Sequence, residues 1–165
     1  MRRRLRIVAA GVSALGFATL ARADAPGTQY GYFDSAAQVI QDEFTGLLWE
    51  RYPPPGTVTL DAAVARCASL SIGGVSGTWR LPTYKELLTL VDEAPHTEYE
   101  NGGLVSKAID PNAFPGTLVD AYWWTSSPAA SPNVFTVDFS AGASYASSPL
   151  GGKTSYARCV QYVGP

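Results

Sequence analysis

The chain has 165 residues and a formal net charge of −2, and only 16% of its residues are charged. Five of its 12 Lys and Arg residues lie in residues 1–23, so the rest of the chain sets seven basic residues against 14 acidic ones. This surplus of carboxylates argues against nucleic acid and against an anionic membrane surface as partners, because no positive patch is available to release counterions.

The first predicted element is an export leader over residues 1–23. Arginines near the start precede an apolar run from Ile7 to Leu20, and small-residue cleavage motifs follow, which is typical of a secretory signal peptide. About 14 apolar residues are short for a membrane span of about 20. We expect cleavage after Ala23, because a cut after Ala25 would leave Pro26 at the cleavage site. The protein is therefore predicted to be exported to the periplasm or the medium, with no membrane insertion after cleavage.

Residues 24–37 are predicted to be an N-terminal lead-in. The first element after them is a hairpin, because the extended segments QVIQD and LLWERY flank the turn residues Glu43 to Gly46. Trp49 lies in the second of these segments and is expected in the core.

A helix is predicted after the PPPG segment, with Thr59 as its N-cap. The apolar residues that follow recur at helical spacing and define one buried face. That face includes a cysteine, and its members are Leu60, Ala63, Val64, Cys67 and Leu70.

A second helix follows the WRLPT motif. Pro82 precedes a sequence with the form of a capping box, in which Glu86 reaches back to the backbone amide of Thr83. Trp79 is expected to pack in the core, and Arg80 is expected either to brace the turn or to pair with an acid. The charged residues of this motif are thus predicted to be scaffold rather than a working site. Its apolar face is predicted to be Tyr84, Leu87, Leu88 and Val91.

The rest of the chain divides into a loop and a series of strands. Residues 92–107 show no periodicity and are predicted to be an irregular acidic loop, in which His96 is exposed and without a role and Glu98 and Glu100 act as solvating charge. The segments AYWWTSSP, NVFTVDFSAGASY and TSYARCVQYV are predicted to be strands. Two helices early and strands late predict an α+β domain.

Candidate ligand-binding residues lie in and beside the late strands. Trp123 and Trp124 are adjacent, so on a strand they face opposite sides, and one of them is expected to be exposed for stacking on a sugar ring or a protein surface. Asp120, Asn133 and Asp138 carry the oxygen atoms that calcium prefers, although the chain has no acidic loop of the EF-hand type and a solvated side chain is the commoner role. Calcium is the one cofactor left open, and no other is predicted.

The two cysteines, Cys67 and Cys159, favour a disulfide in an exported protein. Closing a loop of about 90 residues would stabilise the fold by about 4–5 kcal/mol. The alternative is a catalytic or copper-binding pair of thiols. A metal site would want neighbouring His or Cys ligands, and His96 is the only histidine of the chain.

Several segments of the sequence occur together in one known family: TGLLWE, ARCASLSIGGVSGTWRLPTYKELLTLVD, AIDPNAFPGT, YWWTSSP, VDFSAG and YARCV. Over residues 38–163 the chain resembles the domain family named for the C-terminal domain of the Legionella collagen-like protein. The resemblance implies a C-type-lectin-like fold, related to the formylglycine-generating enzyme and sulfatase-modifying-factor domains, in which two helices pack on small twisted antiparallel sheets. It also implies that Cys67 pairs with Cys159. The sequence has no collagen-like repeat, so we expect no trimerisation or avidity from one.

Three functions are compatible with these features. We favour an exported, non-catalytic module that binds a glycan or a cell-surface protein, with loops at 92–108, 128–133 and 140–153 carrying specificity on a rigid scaffold. The first alternative is a structural or assembly subunit of a surface complex. The second is an oxidase similar to the formylglycine-generating enzyme, which would need both cysteines free, and kinship of fold alone does not carry that function. The sequence leaves the oligomeric state open.

Overall fold

The computed structural model describes residues 26–75, 77–100 and 102–162, and the predicted leader lies outside them. The elements in chain order are β1 (Tyr30–Tyr32), β2 (Val39–Asp42), β3 (Leu47–Glu50), α1 (Leu60–Ala68), α2 (Tyr84–Leu88), β4 (His96–Glu100), β5 (Gly103–Lys107), β6 (Tyr122–Pro128), β7 (Val134–Asp138), β8 (Ala143–Ser147) and β9 (Val160–Tyr162). The predicted α+β class, with two helices and small antiparallel sheets, is confirmed. None of the helices within the described ranges is long and apolar enough to cross a membrane.

The largest sheet brings the first and last strands together. Strands β1, β2, β3 and β9 lie side by side in that order, and each pair is antiparallel. The predicted hairpin is confirmed, because β2 and β3 pair from Val39–Glu50 to Asp42–Leu47 across the turn. The segment predicted as an N-terminal lead-in contains a strand of the domain, because β1 falls within it and pairs with β2. Strand β9 forms the other edge by pairing with β3.

Helix α1 begins after the predicted N-cap, where the hydroxyl of Thr59 accepts the backbone N–H of Ala62 at 3.3 Å. Ala63 and Cys67 are fully buried, as their spacing predicts. Val64 is 48% exposed, so its assignment to the buried face is wrong. The helix is short, and the fully buried residues form a narrow stripe at i and i+4 that leaves the next position in solvent.

Two separate core clusters lie on opposite faces of the sheet formed by β6, β7 and β8. Trp49 and Trp123 belong to the larger cluster, and Trp79 and Trp124 belong to the smaller one. Trp123 and Trp124 therefore do face opposite sides, but the expectation that one is exposed is wrong, because each is only 1% exposed. Both sides of this strand are covered by packed elements, so neither indole reaches solvent.

The larger core cluster encloses a charged side chain. The guanidinium of Arg158 lies 4.6 Å from the ring centroid of Phe114 and 5.4 Å from that of Trp123, and it donates a hydrogen bond to the hydroxyl of Thr117 at 2.7 Å. Burial lowers the pKa of Arg158 to about 9. The aromatic faces stabilise the cation, and the charge of Glu50 acts in the same direction.

The segment predicted as an irregular acidic loop is a hairpin of β4 and β5, with cross-strand pairs from His96–Lys107 to Glu100–Gly103. The sequence does not show the alternation of apolar and polar residues expected for a half-buried strand, because the inward side contains charged residues as well as Val105. The buried amine of Lys107 lies 2.8 Å from Glu98, which corrects the view of Glu98 as merely solvating. The opposite side, here called the outward face, consists of Thr97, Tyr99, Leu104 and Ser106, all exposed.

The predicted disulfide between Cys67 and Cys159 is confirmed and joins α1 to the residue before β9, with 5.4 Å between the Cα atoms. A charged cluster surrounds it. Arg66 donates to both carboxylate oxygens of Glu50, at 2.7 and 2.9 Å, and to the carbonyl of Ala157 at 3.0 Å. Glu50 also accepts the backbone N–H of Cys159 at 3.0 Å. Helix α1, strand β3 and the start of β9 are thus linked both covalently and by hydrogen bonds.

We expect the double replacement Cys67→Ala, Cys159→Ala to lower the free energy of unfolding by about 4–5 kcal/mol, because the loop between the cysteines is no longer closed in the unfolded chain. Urea denaturation measures this loss. Non-reducing mass spectrometry of the wild-type protein should show one linked peptide containing both cysteines. Alkylation of both thiols in the native protein without reductant would contradict the assignment.

Both halves of the predicted capping box are formed at α2. Thr83 Oγ1 accepts the N–H of Glu86 at 3.2 Å, and Glu86 Oε2 accepts the N–H of Thr83 at 2.8 Å. Arg80 donates two hydrogen bonds to the same carboxylate, at 2.8 and 2.5 Å. These bonds, and above all those from Arg80, lower the pKa of Glu86 from 4.5 to about 2. Pro82 is buried just before the cap, so the motif orients the helix.

We expect Glu86→Ala to lower the free energy of unfolding by about 1 kcal/mol at neutral pH, because it removes half of the capping box. The pKa of Glu86 is depressed in the folded state, so the stabilisation by its ionised form is complete above pH 4.5 and is lost as the pH falls towards 2. Denaturation of wild type and variant across this range measures the effect. Lys85→Ala, next to it on the exposed side, is the control; a difference that persists unchanged at pH 2 would contradict the charge contribution.

Candidate functional site

The structure does not bring the three candidate calcium ligands together. Asn133 and Asp138 lie at opposite ends of β7, about 16 Å apart at the rise of an extended strand. The carboxylate of Asp138 accepts the backbone N–H and the hydroxyl of Ser140, at 2.7 and 2.8 Å, which fixes it in a turn. Asp120 is exposed before β6. Within the described ranges, no group of three or more His, Cys, Asp and Glu residues is arranged to hold a metal ion.

The late strands carry a groove of about 430 Å³ on the side that Trp124 faces. Its lining combines two exposed tyrosines with side chains of the 147–155 segment. We call it the tyrosine groove, and its lining residues are Tyr122, Trp124, Tyr145, Ala146, Ser147, Ser148, Lys153, Thr154 and Ser155.

The tyrosine pair is the groove's main apolar surface. Tyr122 is 49% exposed and Tyr145 is 41% exposed, although both lie in strands. Their ring centroids are 5.5 Å apart and the ring planes are inclined at 76°, an edge-to-face contact that holds both rings in place. Trp124 lines the groove but is only 1% exposed, so these two tyrosines are the aromatic side chains that a ligand could contact.

Hydroxyl groups and one amine also line the groove. Ser147 Oγ lies 2.8 Å from the buried hydroxyl of Thr136, and Thr154 Oγ1 accepts a hydrogen bond from Thr57 at 2.8 Å. These contacts leave further hydrogen-bonding capacity on each oxygen. Lys153 is exposed at the rim and adds a positive charge.

The strands and bridges around the tyrosine groove fix its shape. Ser155 exchanges two backbone hydrogen bonds with Val58, at 2.9 and 3.0 Å. The next residue, Tyr156, donates its N–H to the carbonyl of Tyr122 at 2.9 Å and accepts the N–H of Trp124 at 2.8 Å. The 148–155 segment is therefore tied at its far end to β6, the strand that carries Tyr122.

A second groove, of about 440 Å³, lies beside the β4–β5 hairpin and is lined by Asp92, His96, Thr97, Glu98, Asp110, Pro111 and Asn112. His96 is not without a role, because its Nε2 lies 3.0 Å from the buried carboxylate of Asp92. Asp92 also accepts the N–H of Ala94, and Asp110 accepts the N–H groups of Asn112 and Ala113. These carboxylates hold turns, so the second groove is a weaker candidate than the first.

The sequence analysis missed Tyr122 and Tyr145. It chose the two tryptophans because adjacent residues on a strand face opposite sides, and it gave no weight to the tyrosine that precedes them. Tyr122 and Trp124 share one face of β6 by the period of two, and the residue at the strand end is the one that reaches solvent. Tyr145 is brought to them by the β7–β8 hairpin, whose second strand was read only as the exit of the first.

The comparison with known protein families gives one match. The family model described as the Lcl C-terminal domain matches residues 38–161, which agrees with the resemblance drawn from the motifs. No curated protein matches the chain.

Proposed function

This chain belongs to the Lcl C-terminal domain family, and we propose that it is an exported, non-catalytic module that binds a glycan in the tyrosine groove. The observation that carries the proposal is a groove that combines an exposed tyrosine pair with several hydroxyl groups. A sugar ring has an apolar C–H face that packs on an aromatic ring and a rim of hydroxyls that exchange hydrogen bonds. The groove offers both kinds of surface at one place, as specific small-molecule sites do.

The state of the polar side chains supports a non-catalytic role. An oxidase similar to the formylglycine-generating enzyme would need two free thiols, and both Cys67 and Cys159 are engaged in the disulfide. The carboxylates of the second groove are engaged in turns and ion pairs. The disulfide also fits an oxidising compartment, which supports export.

We expect Tyr122→Ala and Tyr145→Ala each to weaken glycan binding about tenfold or more, because truncating a central aromatic contact costs at least 1–2 kcal/mol. The full chain, produced with its leader, is screened on a glycan array, and the affinity for the best ligand is then measured by calorimetry. Tyr162→Ala is the matched control, since it removes an exposed tyrosine from β9, outside the groove.

The array is run once with calcium and once with chelator. Because Asn133 and Asp138 are far apart, binding is expected to be the same in both conditions. Loss of binding on chelation would show that a metal takes part, and binding that survives both groove variants would place the glycan elsewhere. Absence of binding to any glycan would contradict the proposal.

An assembly role is the second candidate function. It is favoured by the outward face of the β4–β5 hairpin, where Tyr99 is 73% exposed and Leu104 is 76% exposed. These two residues lie directly opposite each other across the hairpin.

A further inference from the structure

The loop that follows β8, residues 148–153, is weakly attached to the rest of the domain. Its residues from Leu150 onwards are all exposed. Among the described residues, the backbone groups of this loop make one hydrogen bond, from the N–H of Leu150 to the hydroxyl of Ser148 at 3.3 Å. Exposed loop tips with few backbone bonds are where proteolytic nicking concentrates.

The 148–153 loop is also loosely packed. A cleft of about 160 Å³ separates it from the start of α1, and Leu60 lines the cleft on the helix side. At the loop tip, Gly151 and Gly152 both have a φ of 71°, and a Cβ atom at either position would meet no atom within 4 Å. The loop can therefore leave its place without disturbing either core cluster.

Both ends of the 148–153 loop are fixed. Before it, Ser147 pairs with Val134 in the β7–β8 ladder. After it, Thr154 accepts a hydrogen bond from Thr57 at 2.8 Å, and Ser155 is bonded to Val58 through both backbone groups. Local opening is thus confined to the six residues between these attachments.

Leu150 differs from the other exposed leucines of the described ranges in its backbone. Its side chain is 60% exposed, and its carbonyl accepts no hydrogen bond from any described residue. Leu104 is more exposed, but it lies in β5 and is paired with Tyr99. The carbonyl of Leu118 accepts the indole N–H of Trp123 at 2.9 Å. Only at Leu150 does an exposed apolar side chain adjoin a peptide bond without such restraint.

We propose that the peptide bond between Leu150 and Gly151 is a processing site for an endopeptidase of the same compartment, of the class whose S1 pocket is apolar. Such a pocket receives the side chain that precedes the scissile bond, and Leu150 is free to enter it. One water molecule is consumed: its hydroxyl goes to the carbonyl carbon of Leu150, which becomes a carboxylate, and the nitrogen of Gly151 leaves as an amine.

The cleaved protein stays in one piece. The segment after the cut contains Cys159, which is joined to Cys67 by the disulfide. The same segment also supplies β9 to the largest sheet and the backbone bonds of Ser155 and Tyr156 to neighbouring segments. The product is therefore a folded, disulfide-linked protein of two chains.

Cleavage has a consequence for the tyrosine groove, which rests on the proposed function. Five residues that line the groove flank the cut, with Ser147 and Ser148 before it and Lys153, Thr154 and Ser155 after it. Once the bond is broken, residues 151–153 hang from one attachment and must be ordered again by the ligand. We expect the cut to weaken glycan binding about tenfold or more, since ordering even one or two residues costs over 1 kcal/mol.

Limited digestion with chymotrypsin, whose S1 pocket is apolar, tests the site on the full chain produced with its leader. The first disulfide-linked product is expected to be cut after Leu150. Its mass without reductant rises by one water molecule, and reduction releases a fragment that begins at Gly151. The nicked protein is expected to keep a cooperative thermal transition as long as no reductant is added.

Three variants separate the side chain from general exposure. Leu150→Glu is expected to slow this cut at least tenfold, because a carboxylate is rejected by an apolar pocket, and Leu150→Phe should restore it. Leu104→Glu is the matched control, since it changes a more exposed leucine on a paired strand, and it should leave the rate unchanged. Circular dichroism and thermal melting establish that each variant is folded.

Mass spectrometry of the protein recovered from its native host tests whether the site is used, and peptides that end at Leu150 and begin at Gly151 are expected. A first disulfide-linked product cut elsewhere, equal cleavage of wild type and Leu150→Glu, or a native protein that is never cut would overturn the proposal. Glycan binding is measured on intact and nicked protein. Equal affinities would refute the effect on the groove, whereas an intact protein without affinity would contradict the proposed function and not the processing site.

Discussion

A single buried carboxylate connects the parts of this fold. Glu50 is 3% exposed at the end of β3, where a carboxylate without partners would be strongly destabilising. Arg66 and the backbone amide of Cys159 supply hydrogen bonds to it. These bonds join a strand, a helix and the approach to the last strand, which are far apart in sequence, and the disulfide closes the same junction covalently. The largest sheet and the smaller core cluster both depend on this contact.

Local chemistry could be predicted from the sequence, and long-range packing could not. Thr83 and Glu86 form their capping box because its two partners are only three residues apart, and the β2–β3 hairpin follows from its own turn. The burial of both Trp123 and Trp124 depends on elements from distant parts of the chain that cover the two sides of β6. The β4–β5 hairpin was missed for the same reason, since its inward charges are satisfied only by tertiary contacts such as that between Lys107 and Glu98.

The candidate site was located only in part, and for a related reason. The sequence pointed to the late strands, and the tyrosine groove does lie there. The backbone bonds from Ser155 and Tyr156 to neighbouring segments decide which aromatic residues reach solvent. These bonds join residues far apart in the chain, so no local sequence pattern predicts them. Those same bonds hold the groove walls before any ligand arrives, so little conformational freedom would be lost on binding.

The position of the disulfide also determines how the domain responds to mechanical force. Tyr30, Asp42, Leu47 and Tyr162 form one row across the largest sheet, so the chain enters and leaves it at the same end, about 14 Å apart. Tension between these two points can peel β9 only as far as Cys159, and it then passes through the sulfur–sulfur bond into α1. Residues 68–158 lie outside that path. A domain pulled by its two ends would therefore carry the force through residues 30–67 and 159–162, and the groove would feel it only through contacts with that path, such as the backbone bonds between Ser155 and Val58.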